Sequence, residues 1–145
     1  MNLFVMRHGQ AQLNAITDKQ RQLTEHGFKE AEIMANWFNR QQLDVSHVIV
    51  SPYIRAQQTA STFIEAYQSS VSKEISDLYI PSSNAQQGHD YIDGILNVKD
   101  VRGILIVSHM PMVSYLVESL TAGTNSPIFE TCGVAHIDYN IDNMN

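Results

Sequence analysis

Two arginines, two histidines and two serines stand where three apolar runs end. Arg7-His8-Gly9 follows Leu3-Phe4-Val5-Met6, Ser51-Pro52-Tyr53-Ile54-Arg55 follows Val45 to Val50, and Ser108-His109 follows Gly103 to Val107. Two guanidiniums, two imidazoles and free backbone N–H groups can surround a tetrahedral phosphate. Arginine suits that task because its planar fork gives parallel, charge-assisted hydrogen bonds and stays protonated. Only nine residues of the chain are Lys or Arg, so two of them at strand ends is a concentrated use of scarce charge. Each of these residues alone is more often structural. Arg55 is the exception: in the first turn of a helix its charge opposes the macrodipole, which is unfavourable unless an anion lies nearby.

The elements that must position these residues follow from pattern. Leu3 to Met6 reads as a buried strand. Leu23 to Leu43 reads as a helix with Phe28, Ala31, Met34, Ala35 and Phe38 on one stripe. Val45 to Val50 reads as a strand running into Ser51 as N-cap and Pro52 as first helical residue. The helix after it turns Ala56, Thr59, Ala60, Phe63, Ile64 and Tyr67 to the core. Gly103 to Val107 is the clearest strand. Pro111 opens a helix carrying Val113, Leu116, Val117 and Leu120, which Gly123 can close. Gly133 to Tyr139 reads as a last strand. Residues 68 to 89, rich in Ser, Gln and Asn, read as a surface excursion. Strand alternating with helix predicts an α/β fold of three layers, a mainly parallel sheet with helices on both faces. Ligands in such sheets bind beyond the carboxyl ends of the strands, which is where the three polar groups fall.

Composition narrows the reading. The chain has 145 residues, 43% hydrophobic and 17% charged, and is expected to form one domain, 1–145. A formal net charge of −6 argues against bulk attraction to nucleic acid or an anionic membrane. A single cysteine, Cys132, excludes an internal disulfide framework and fits a reducing compartment. The start has no basic segment or long apolar run, and the expectation is a cytoplasmic protein. Rival phosphate chemistries find no support. There is no G-x-x-x-x-G-K-[ST] loop. Cys132 opens CGVAHID, without an arginine to cradle phosphate against a thiolate. Carboxylates and histidines show no spacing for a two-metal site, and His89-Asp90 reads as loop surface. His26, His47 and His136 read as structural or surface residues, and Met6, Met34, Met110 and Met112 as core or pocket wall. The nucleophile left is a histidine.

Arg7-His8-Gly9, Ser51-Pro-Tyr-Ile-Arg55-Ala-Gln-Gln-Thr59-Ala60 and Ser108-His109-Met-Pro, in that order and spacing, resemble the histidine phosphatase (phosphoglycerate mutase-like) superfamily. The short length, MANWF and HMPMVSYLVESL are most similar to the SixA-type phosphohistidine phosphatases, over nearly the whole chain. The resemblance implies that His8 takes the phosphoryl group while Arg7, Arg55 and His109 bind its oxygens. Gly9 would keep room beside His8 and hold the far imidazole N–H through its carbonyl. Nearby cations would lower the His8 pKa. Arg21 and Asn14 would be rim contacts. No metal or organic cofactor is implied.

One departure matters. Many relatives place a carboxylic acid after the third strand, or beside the second histidine, to protonate the leaving oxygen. Here Met110 follows His109, and the third-strand region offers only Asp77 and Asp90, neither in suitable surroundings. General acid catalysis is worth about a hundredfold or more, so its absence hampers ester cleavage more than cleavage of a labile P–N bond. The expected substrate is therefore a phosphohistidine; the resemblance implies that it sits on a signalling phosphotransfer domain or a phosphotransferase-system carrier, and the protein is expected to be a monomer. The alternatives are a small-molecule phosphomonoesterase or mutase of the same superfamily, and a phosphate-binding regulatory module without turnover.

Overall fold

The computed structural model of the chain describes residues 1–140. Five strands form one sheet: β1 (Asn2–Arg7), β2 (His47–Val50), β3 (Ser72–Ile75), β4 (Gly103–Ser108) and β5 (Val134–Asp138). Their order across the sheet is β3-β2-β4-β1-β5. The first four run parallel, and β5 lies antiparallel to β1 at one edge. The helices are α1 (Glu25–Arg40), α2 (Ile54–Ala66), α3 (Ala85–Val98) and α4 (Met112–Leu120).

The pleat sends alternate side chains to opposite faces. Leu3, Val5, Ile49, Ile104 and Ile106 pack with Ile92 and Ile95 of α3 and Val113 and Leu116 of α4. Phe4, Met6, Val48, Val50, Leu105 and Val107 pack with Ala35 and Phe38 of α1 and Ala56, Ala60 and Phe63 of α2. Unbroken apolar runs in β1 and β4 are thus strands buried on both faces, and the three expected layers are present.

Four local readings change. The first helix starts at Glu25, because the Thr24 side chain accepts from the Gly27 N–H at 3.0 Å, and it ends at Arg40. Ser51 is not the cap of α2; that helix begins at Ile54 with Tyr53 before it, and Pro52 precedes both. Residues 68 to 89 are more than a surface excursion, since they hold β3, a short 3-10 turn (Asp77–Tyr79) and the start of α3. Tyr79 is fully buried there and its hydroxyl donates to the Gly88 carbonyl at 2.9 Å. His89 is likewise a buried helix residue rather than loop surface. Its Nδ1 lies 2.7 Å from Ser119 Oγ of α4 and its Nε2 2.8 Å from the Tyr139 hydroxyl just past β5.

Candidate active site

The register of the sheet builds the site. β1 and β4 end together, Arg7 opposite Ser108, so the next residues, His8 and His109, emerge side by side. The His8 N–H donates to the Ser108 carbonyl at 3.0 Å, and the two imidazole centroids are 5.1 Å apart. On the other side of β4, Val50 of β2 pairs with Val107, and Ser51 follows with its N–H on the Val107 carbonyl at 3.1 Å. Ser51 Oγ lies 2.7 Å from His109 Nε2 and also accepts the Tyr53 N–H at 3.2 Å.

His8 is buried with its Nδ1 2.7 Å from the Gly9 carbonyl. A carbonyl only accepts, so Nδ1 carries the hydrogen and Nε2 keeps its lone pair. Arg55 agrees with this assignment, donating its Nε–H to His8 Nε2 at 3.2 Å. Burial, then the charges of Arg55, Arg7 and Arg21, lower the His8 pKa from 6.5 to about 4, against an opposing pull from the Gly9 hydrogen bond. The cations act as expected, but burial is the larger cause.

Arg55 is buried in the first turn of α2, with the Tyr53 ring 5.1 Å from its guanidinium carbon. Its two terminal nitrogens are held by one residue that the spacing of motifs does not reveal. Nη1 donates to the Asp18 carbonyl at 2.7 Å and Nη2 to the Asp18 carboxylate at 3.1 Å. Asp18 opens a short 3-10 turn (Asp18–Gln20) in the loop after β1. Its carboxylate also takes Arg21 Nη1 at 3.1 Å, while Arg21 Nε donates to the Gln12 carbonyl at 2.7 Å. Partial burial pushes the Asp18 carboxyl up, but hydrogen bonds and charge from Arg21 and Arg55 outweigh it and hold the group below the usual carboxylate range. The carboxylate bonded to Arg55 is therefore an ionised one. Asp77 and Asp90 are both exposed.

Two nitrogens are left over. Arg7 Nη1 donates to the Phe129 carbonyl at 3.0 Å, yet its Nε is buried without a partner, and so is His109 Nδ1. Buried polar atoms without partners are rare and ask for a cause. Burial, then the charges of His8, Arg55 and Arg7, push the His109 pKa far down, only partly opposed by Asp18, so this ring is neutral. A neutral nucleophilic imidazole beside a guanidinium, a second neutral imidazole and two unsatisfied nitrogens is suited to an incoming oxyanion.

The backbone around His8 is held from several sides. Gly9 N–H donates to Thr59 Oγ1 at 3.0 Å, and that hydroxyl donates to the Arg55 carbonyl at 2.7 Å. Thr59 therefore ties α2 to the loop after β1, a role hidden behind its place on the apolar stripe. The space that Gly9 keeps lies toward α1: a Cβ there would be 2.7 Å from the Gly27 carbonyl oxygen, and one on Gly27 would be 2.1 Å from that of Gln10. Cys132 stays buried, with burial the main cause pushing its thiol up to about 12, and its N–H donates to the His8 carbonyl at 3.1 Å. Arg21 lies beside the site through Asp18. Asn14 is exposed on the same loop and hydrogen-bonds to none of the four central residues. His26 is exposed on α1, His47 opens β2, and His136 on β5 bonds Asn2. Among the described residues no group of three His, Cys, Asp or Glu could hold a metal ion, and no helix is long and apolar enough to cross a membrane.

The family model of the histidine phosphatase superfamily (branch 1) matches residues 3–77, which run from β1 through α1, β2 and α2 to β3. The chain belongs to the histidine phosphatase superfamily. Within that family it is 35% identical to phosphohistidine phosphatase SixA of Escherichia coli (strain K12), over 94% of this chain and 84% of the relative. It is 34% identical to the phosphohistidine phosphatase SixA homolog of Haemophilus influenzae, over 94% and 87%. The structure of the protein histidine phosphatase SixA complexed with tungstate superposes with a TM-score of 0.89 at 35% identity, covering 94% of this chain and 86% of that one. The parallel sheet and flanking helices are thus those of a histidine phosphatase of the SixA type.

Proposed function

We propose that this histidine phosphatase removes phosphate from a phosphohistidine on a protein, through a phospho-His8 intermediate, in a single domain of residues 1–145. The observation that carries the reading is the pair of buried, unpartnered nitrogens, Arg7 Nε and His109 Nδ1, beside a neutral His8 with its Nε2 lone pair unprotonated. His8 Nε2 attacks phosphorus in line. A new N–P bond forms as the P–N bond to the substrate imidazole breaks, and the electron pair leaves with that ring, which carries a proton on its other nitrogen. Arg7, Arg55 and His109 hold the phosphoryl oxygens, and catalysis is positioning plus charge stabilisation. Water then attacks phospho-His8, releasing inorganic phosphate and returning the electron pair to Nε2.

Three features favour phosphohistidine over an ester. Asp18 is ionised and Asp77 and Asp90 are exposed, so none of these three carboxyl groups stands ready to protonate a leaving alkoxide. The relatives are named phosphohistidine phosphatases, and tungstate, bound in one of them, is a tetrahedral oxyanion like phosphate. Leu13 and Ile16, on the loop that carries Asp18, are 87% and 93% exposed, and Ile128, next to the Phe129 that anchors Arg7, is 90% exposed. Protruding apolar side chains suit a protein surface better than a polar metabolite. In this reading Arg21 and Asn14 are rim contacts, the partner is a phosphotransfer domain or phosphotransferase-system carrier, and the protein is a cytoplasmic monomer, as its buried unpaired cysteine suits.

Turnover of a phosphohistidine protein compared with glycerate and sugar phosphates tests this. The expected ratio of kcat/KM is about a hundredfold or more in favour of the phosphohistidine protein. The opposite order would make the protein a small-molecule phosphatase, and phosphate binding without turnover of any substrate would make it a binding module.

A further inference from the structure

The serine that spells a helix cap in the sequence is used elsewhere. Ser51 is fully buried, and its hydroxyl oxygen has two neighbours. The Tyr53 N–H donates to it at 3.2 Å, and His109 Nε2 lies 2.7 Å away. Tyr53 N–H can only donate. Among the described residues the one acceptor within reach of the hydroxyl hydrogen is therefore His109 Nε2, and a nitrogen that accepts there is unprotonated. The ring hydrogen of neutral His109 then resides on Nδ1, the buried atom without a partner. The other tautomer would leave the hydroxyl hydrogen without an acceptor. It would also turn a bare lone pair on Nδ1 toward the same surroundings, where it would repel an oxyanion.

We propose that Ser51 is a positioning residue that locks His109 as the Nδ1–H tautomer, so that this ring offers a phosphoryl oxygen one neutral, preorganised donor. The inference rests on the reading of His109 as a phosphate contact. It extends it by giving the ring its tautomer, its donor atom and the group that enforces both. Ser51 need not touch the substrate. It acts through His109, from the end of the strand next to β4, and the Tyr53 N–H fixes the direction in which its hydroxyl points.

Side-chain nitrogen NMR of the unmodified, substrate-free protein at neutral pH tests this without any variant. The expected spectrum has His109 Nδ1 as the protonated, pyrrole-type nitrogen and Nε2 as the bare, pyridine-type one, with the Nδ1 signal shifting on addition of inorganic phosphate. A protonated Nε2 overturns the proposal and leaves the phosphatase reading standing. A protonated Nδ1 that ignores saturating phosphate overturns both the proposal and the assignment of His109 to the phosphate site. In Ser51→Ala the Nδ1–H signal should give way to a tautomer mixture, with kcat/KM falling about tenfold or more, and Ser51→Thr should restore both. An unchanged Nδ1–H signal in Ser51→Ala would also overturn the proposal.

Discussion

The two nitrogens of His8 have opposite tasks, and the residues around them keep those tasks apart. Gly9 holds the hydrogen on Nδ1, while burial and three arginines keep a second proton off Nε2. Titration of the His8 ring in the substrate-free protein should therefore show a midpoint near 4, not near 6.5. The sign for stability follows from linkage. The native state resists a proton that the unfolded chain accepts below 6.5, so stability is full above that pH and falls as pH drops toward 4. The His8 contribution to that loss is about 3 kcal/mol, and it levels off below the native pKa. Urea unfolding at pH 7 and pH 4.5 should show a smaller pH penalty in His8→Ala than in the unaltered protein. Asp18 carries a different prediction. Its carboxylate neutralises part of the charge of Arg55 and Arg21. Asp18→Asn removes that negative charge while the backbone carbonyl still holds Arg55. Inorganic phosphate should then bind about three- to tenfold more tightly by calorimetry; unchanged or weaker binding would mean that Asp18 mainly orders Arg55.

At the scale of elements, the site depends on how closely α1 approaches the loop after β1. Gly27→Ala would set a Cβ 2.1 Å from the Gln10 carbonyl oxygen, and backbone must move to relieve it. It should cost about 1 to 3 kcal/mol in chemical denaturation and also lower activity, because His8 and Gly9 precede Gln10 directly. Gly94, exposed in the middle of α3 with nothing within 4 Å of an added Cβ, gives the control. Gly94→Ala should stabilise by about 0.4 to 1 kcal/mol with activity unchanged. These two helices also differ in how legible they are. α1 announces itself through a regular apolar stripe. α3 does not, because Gly88 and Gly94 interrupt it and each weakens helix propensity by about 1 kcal/mol. Gly88 is there for packing, as a Cβ would lie 2.9 Å from a ring carbon of Tyr79. β3 is hidden for another reason. It is a four-residue edge strand, Ser-Lys-Glu-Ile, paired only with β2 and largely exposed, so it carries no apolar run. Ser51-Pro52 misleads in the other direction, spelling a helix start where the serine serves His109 instead.

For the whole molecule, the parallel sheet does what its sequence pattern implies. β1, β2 and β4 deliver Arg7-His8, Ser51 and His109 to one edge, and α2 brings Arg55 to the same place. Strand ends are readable because register and burial are encoded locally. Asp18 is not, because it meets Arg55 across 37 positions of chain through a loop with no period. The His89 network, which joins α3, α4 and the end of β5, is equally long-range. A chain of net charge −6 thus collects Arg7, Arg21 and Arg55 around one neutral histidine. In the proposed reaction the phosphoryl group is carried, for a moment, on His8. Rapid quenching after mixing with a radiolabelled phosphohistidine protein should trap label on the peptide containing His8, stable in base and lost in acid. Steady turnover with no label on that peptide, or equal turnover by His8→Ala, would contradict the account.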